Sequence, residues 1–285
     1  MSADTALSLG RLATLACTLE VCAPKPGNVH RSADFEDVTL QDFLASAIAI
    51  GGILDQAAEL SLGQLVLHSV VATSRVSNTN TNLGMILLLA PLAMAKNAAS
   101  LQEEATAAIE KSTERDAGDI YLAISMAKPG GMNTASEHDV AGDAPPHILD
   151  AMKLAADRDS IARQYATGFG EVFDQVVPLL TESLPPYFPL SQRIVHAHVS
   201  LMAQLPDTLI ARKNGAEMAQ QSAVMAQRVI DAGPPMEDDY MQQLANLDFW
   251  LRCDGHKRNP GTTADLIAAG LFVCLRQEKI RAPFV

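Results

Sequence analysis

Apolar residues recur at helical spacing along almost the whole chain. Leu12, Leu15, Ala16 and Leu19 follow the i, i+3, i+4, i+7 pattern of one helix face. The stretch TLQDFLASAIAIGGILDQAAEL (39–60) opens with Thr39 and Asp42 in capping-box positions, and Ser100 and Glu103 open a second such box. The spacing predicts further helices over 63–75, 83–98, 117–128, 146–157, 159–183, 191–205, 208–231, 237–253 and 262–279. No stretch alternates apolar and polar residues between turn signals, as a half-buried strand would, and alanine is abundant. The expectation is an all-α chain, one helical catalytic domain over 1–285, with about ten helices and a pocket between their ends. PGGMNTASEHDVAGDAPPH, within residues 129–147, is the longest interruption and reads as a long surface loop or lid.

Composition narrows the setting. The 285 residues carry a formal charge of −12 with 48% hydrophobic residues. An acidic chain is a poor binder of nucleic acid or anionic membrane, both of which need a basic face. MILLLAPLAMA (85–95) is the most apolar run, too short to span a bilayer, and predicts a buried helix. The N-terminus lacks the basic and apolar regions of a signal peptide. The four cysteines (Cys17, Cys22, Cys253, Cys274) form no CxxC pair and fall in apolar helical stretches, so buried free thiols and a cytoplasmic setting are expected.

Polar residues gather at predicted helix ends: EVCAPKPGNVHR (20–31), SNTNTNLG (77–84), ERDAGDIY (114–121), LPDTLIARKNG (205–215) and DGHKRNPGTTADL (254–266). A helical protein builds sites in such places, so one shared pocket is expected. Glu20 precedes a turn stiffened by Pro24 and Pro26. It reads either as a boundary carboxylate paired with a cation, or as a base or metal ligand. Lys25 in that turn reads as a solvated loop lysine or as a phosphate ligand, with Asn28 and His30 adding hydrogen bonds to sugar or phosphate. Asn78, Asn80 and Asn82 read as helix caps and equally as a seat for phosphate or ribose oxygens. Asp116 and Asp119 share a helix face as caps or as Mg²⁺ ligands, and Thr262 and Asp265 fit a further capping box. EDDY (237–240) reads as a capped, solvated helix end.

PKPGNVHR, NTNLG before a long aliphatic helix, GDIY, DTLIARKNG and NPGTTADLIA occur in this order between Glu20 and about Phe272. Taken together they resemble the triphosphoribosyl-dephospho-CoA synthase family. The resemblance implies an all-α fold and a transferase that joins the triphosphoribosyl group of ATP to the ribose 2′-OH of 3′-dephospho-CoA, with release of adenine. It implies small-molecule nucleotide partners, no nucleic acid and no membrane, and is compatible with a homodimer. Substitution at C1′ passes through an oxocarbenium-like state, which wants a carboxylate at the ring and a donor for the leaving base. The expected catalytic residues are Glu20 and Asp119. Nucleotide contacts are expected from Lys25, Asn28, His30, Asn78, Asn80, Asn82, Arg212, Lys213, Lys257, Asn259 and Gly261, and Mg²⁺ contacts from Asp116, Asp119 and Asp265. Two alternatives stay open: a nucleotide-dependent enzyme with another acceptor, and a helical nucleotide-binding module without catalysis.

Overall fold

A computed structural model describes residues 7–130 and 144–284; most of the expected 129–147 loop lies outside the described residues. Among those residues the chain forms fourteen α-helices and no strand, with a lone antiparallel bridge between His30 and Ala33. The elements run α1 (Leu9–Cys22), α2 (Leu40–Leu54), α3 (Leu62–Ser74), α4 (Leu83–Met94), α5 (Leu101–Glu110), α6 (Glu114–Ala127) and α7 (Ile148–Ala155). Then follow α8 (Ser160–Thr167), α9 (Val177–Thr181), α10 (Leu190–Gln204), α11 (Thr208–Asn214), α12 (Ala216–Asp231), α13 (Asp238–Arg252) and α14 (Gly261–Arg276). No helix among the described residues is long and apolar enough to cross a membrane.

Two helices are apolar on nearly every side and form the centre of the core, as such a composition requires. In α4, every residue from Met85 to Ala93 is buried, and in α14 the run from Leu266 to Leu275 is buried. They pack on each other, and α14 also meets α1, α10 and α8. Pro91 inside α4 has no N–H for the Leu87 carbonyl four residues back. The Tyr165 hydroxyl, itself buried, donates to that carbonyl at 2.7 Å and satisfies it.

Helix α1 crosses α2 at Gly10 and Gly51, where a Cβ on Gly10 would lie 1.8 Å from the Gly51 carbonyl oxygen. Thr14 Oγ1 donates to the Ala47 carbonyl at 3.0 Å and the Gly10 N–H to Asp55 Oδ1 at 2.7 Å. This crossing fixes the helix whose last turn carries Glu20.

The structure divides two long expected helices. The 159–183 stretch breaks after α8, where Gly168 and Phe169 both take positive φ (63° each), and a π-helical turn then leads into α9. The 208–231 stretch breaks at Gly215 (φ 91°), which separates α11 from α12. Two further expectations are corrected. Ser100 Oγ pairs with Glu104 at 2.7 Å, not with Glu103, because Glu104 also accepts from the Lys96 and Asn97 N–H groups. Cys253 lies exposed just after α13, although Cys17 and Cys274 are buried free thiols.

Candidate active site

The first turns of α4 and α14 open onto one cavity of about 850 Å³. Asn82, Leu83, Gly84 and Met85 line it from α4, and Gly261, Thr262, Ala264 and Asp265 from α14. Both helices point their N-terminal N–H groups and positive dipole ends this way, which suits an anionic ligand. One clamp holds the helix ends around the cavity. Asp207 is buried at the N-cap of α11, where it accepts from Leu209 N (2.8 Å) and Ile210 N (3.0 Å). Its other oxygen accepts from Thr263 N (2.7 Å) and Thr263 Oγ1 (2.8 Å), in the first turn of α14. Replacing Asp207 by Ala is expected to lower stability by about 2–4 kcal/mol in a urea melt, from a lost cap and stranded buried donors. An unchanged midpoint would remove the clamp from this account.

Asp265 is partly buried, and its carboxylate rests against Gly84: a Cβ there would lie 2.0 Å from Oδ2. It has no hydrogen bond or ion pair among the described residues, so the expected capping box with Thr262 does not form. Burial, then the charges of Glu20, Asp207 and Asp159, push its carboxyl well above the ordinary carboxylate range, with Arg212 opposing. Glu20 also lines the cavity, but from an almost fully buried position. Lys25 explains its burial. The lysine is fully buried behind it, 2.9 Å from Glu20 Oε1, and also donates to the backbone carbonyls of Glu20 and Ala23 (3.3 Å to the latter). Burial raises the Glu20 carboxyl, and Lys25 opposes that rise.

Asn28 and Asn82 line the same cavity, and each holds a buried side-chain Nδ2 with no partner. Asn82 Oδ1 is taken by the Thr73 hydroxyl at 3.1 Å, which leaves the amide donor for a ligand. Asn80 lines the cavity while its Oδ1 accepts from Leu83 N at 3.1 Å, so it does cap α4. Cations stand at the C-terminal end of α11. Arg212 pairs with Asp159, and Lys213 donates to Asn259 Oδ1 at 3.0 Å and to the His256 carbonyl at 3.3 Å. Burial lowers the Lys213 ammonium pKa. Lys128 and Arg158 add two exposed cations to the lining, and Ile124, Ile148, Met152 and Ile161 give an apolar wall.

The remaining sequence expectations fall elsewhere. Lys25 does not line the cavity, because its ammonium is spent on Glu20 and two carbonyls. His30 is also outside; it is buried, and its Nδ1 accepts from Ser32 N at 3.2 Å. Burial, then Arg252 and Lys25, lower its pKa to about 4. Asn78 is exposed and Lys257 pairs with Asp254 at 3.2 Å, both away from the cavity. Asp116 is the capping box of α6. Its Oδ2 accepts from Thr113 N and Oγ1 (2.8 Å each), and its Oδ1 from Gly63 N at 2.9 Å. Burial works against the ionised form, but the bonds from Ser61, Thr113 and Gly63 outweigh it and hold the carboxyl below its usual value. Asp119 packs beside Gly63 on the same face, outside the lining. Among the described residues no group of three or more His, Cys, Asp or Glu is assembled as a metal site.

The order of these elements matches one family over nearly the whole chain. The family model described as CitG, ATP:dephospho-CoA triphosphoribosyl transferase, matches residues 6–284. The chain belongs to this triphosphoribosyl transferase family. A crystal structure from Archaeoglobus fulgidus, provisionally named as a triphosphoribosyl-dephospho-CoA synthase, shares the fold. It has a TM-score of 0.62 and 24% identity, over 82% of this chain and 98% of that one. Sequence comparison with curated proteins finds no match. For a triphosphoribosyl transferase, Asp159, Lys128, Arg158 and Asp37 are cavity residues that sequence reading missed, and His256 it placed only as a member of the 254–266 cluster. Asp159 and Asp207 carried the signal of a helix N-cap, since each precedes an apolar helical run.

Proposed function

We propose that this transferase displaces adenine from C1′ of ATP and joins the triphosphoribosyl group to the 2′-OH of 3′-dephospho-CoA in the α4–α14 cavity. One observation carries the reading: an unpartnered carboxylate, Asp265, stands between two converging helix N-termini, in a wall that also holds two unpartnered buried amides. The helix ends, Arg212 and Lys213 hold triphosphate oxygens, which are bound and not broken in this reaction. Asn28 and Asn82 donate to ribose oxygens. Asp265 takes the proton of the attacking 2′-OH. A raised pKa suits that task, because a base is most effective when its pKa lies near the working pH. Glu20, anchored by Lys25, presents a second carboxylate to the ring as positive charge develops there.

Mg²⁺ fits this site as the companion of the triphosphate. Mg²⁺ commonly takes one or two carboxylates and leaves its other positions to phosphates and water. Asp159 is not free for it, since one oxygen pairs with Arg212 and the other accepts from the Ile161 and Ala162 N–H groups at the start of α8; the ion would be held chiefly by the phosphates and water, and would supply charge neutralisation of the phosphates. Asp116 and Asp119 have no part in this, and Asp265 is assigned to the 2′-OH.

The test is incubation of the purified chain with Mg-ATP and 3′-dephospho-CoA, with adenine followed by chromatography and the product by mass. Adenine and the triphosphoribosyl adduct are expected in equal amounts. Release of ADP or phosphate without adenine would overturn the reading, and adenine release that needs some other acceptor would correct the acceptor alone.

A further inference from the structure

The reaction needs a proton for its leaving group, and none of the residues assigned above gives one. Purine ring nitrogens leave poorly as anions, so a donor at the base lowers the barrier. A candidate lies in the part of the wall contributed by the 28–38 segment and the loop before α14. Phe35, Asp37 and His256 all line the cavity there. His256 Nδ1 lies 3.0 Å from Asp37 Oδ1, and the His256 ring meets Phe35 edge-on with centroids 5.7 Å apart. Arg252 sits over the Phe35 ring at 5.1 Å from its centroid, which fixes that ring.

We infer that Asp37 and His256 form an acid dyad that protonates the leaving adenine, with Phe35 and Val38 as the surface beside the base. This rests on the adenine-releasing reaction proposed above. The Asp37 carboxylate accepts a hydrogen bond from Nδ1–H and sets the orientation of the imidazole, as a carboxylate does for the histidine in Ser-His-Asp triads. In the charged ring both nitrogens carry protons, so Nε2–H remains for a ligand, and no partner for Nε2 stands among the described residues. Adenine offers N7 as the acceptor for that N–H. The charged groups around the ring are Asp37, Arg252 beyond Phe35, Lys213 on the His256 carbonyl, and the Asp254–Lys257 pair in its own loop.

The C1′–N9 bond breaks and its electron pair passes into the purine, while the His256 Nε2 proton goes to N7. The acceptor's 2′-oxygen bonds to C1′ and gives its proton to Asp265. One proton leaves the dyad and one arrives on Asp265; exchange with water resets both.

His256→Asn keeps an N–H donor for Asp37 but has no proton to transfer, and His256→Ala removes both. With ATP, both variants are expected to lose about 10²–10³-fold in kcat for adenine release, within the range of a positioned acid, with KM for ATP little changed and thermal melts near wild type. 7-Deaza-ATP, which has carbon at the protonated position, should be turned over by the wild type with a similar loss, and His256→Asn should add little to it. Wild-type turnover in His256→Asn would overturn the dyad as an acid, as would full additivity of the variant and the 7-deaza loss. If the wild-type chain itself released no adenine from ATP, the proposed reaction would fall first. Adenine release unaffected by either variant would remove this inference alone.

Discussion

Asp265→Asn is expected to abolish most turnover while making the protein more stable. The substitution keeps shape and removes a charge that nothing in the described structure pairs. Adenine release should fall by about 10²–10⁴-fold, the range for a positioned acid–base group. Stability should move the other way. The folded chain holds the Asp265 proton more tightly than the unfolded chain does, through burial and the charge of Glu20. Such a carboxyl costs stability once pH rises above its unfolded value, and at neutral pH the amide removes that cost. A higher melting temperature with lost activity marks a residue kept for function at the expense of the fold. The pH profile follows from the same shift. The base works only when ionised, so wild-type kcat should fall on the acid side along a limb lying above the ordinary carboxylate range. Asp265→Asn should flatten that limb. A normal rate in this variant would return Asp265 to the cavity wall as a passive residue.

Lys25→Ala is expected to be the most destabilising single change around the cavity, and to act on the fold more than on ATP. The ammonium is fully buried, 2.9 Å from a carboxylate that is itself 2% exposed. Removing one partner leaves the other as an uncompensated buried charge, which costs about 3–5 kcal/mol. In a chain of this size that lowers the melting temperature on the order of 10 °C. Because Lys25 does not line the cavity, ATP affinity measured below the melt should change little, while adenine release should fall as Glu20 loses its anchor. A stable variant whose ATP affinity alone collapses would restore the sequence expectation that this lysine holds phosphate.

That contrast shows where sequence reading reached and where it stopped. The class of fold was legible because α4 and α14 are apolar all round and the other helices carry a one-sided stripe. The break at Gly215 was visible as a residue but not as an interruption, since helical spacing continues through it and only its positive φ ends the helix. Asn80, Asn82, Asp265, Arg212 and Lys213 were legible as residues that would line one cavity, because a helical chain gathers polar side chains at helix ends. Asp116 misled because a cap and a metal ligand share one signature, and Thr113 and Asp116 already form a complete capping box. Lys25 misled because two prolines beside it suggest an aimed loop, and they do aim it, but inward at Glu20. The Asp37–His256 contact joins residues at opposite ends of the chain. Neither residue's local sequence announces the other, so only the fold brings them together.

The most direct measurement is a crystal structure of the Asp265→Asn protein, slowed enough to hold both substrates, grown with Mg-ATP and 3′-dephospho-CoA. Both nucleotides are expected in the cavity between α4 and α14. The ATP C1′ and the acceptor 2′-OH should lie beside residue 265, the triphosphate against Arg212 and Lys213, and the adenine of ATP against Phe35 and His256. Nucleotide bound elsewhere, or in this cavity with C1′ turned away from residue 265, would contradict this placement.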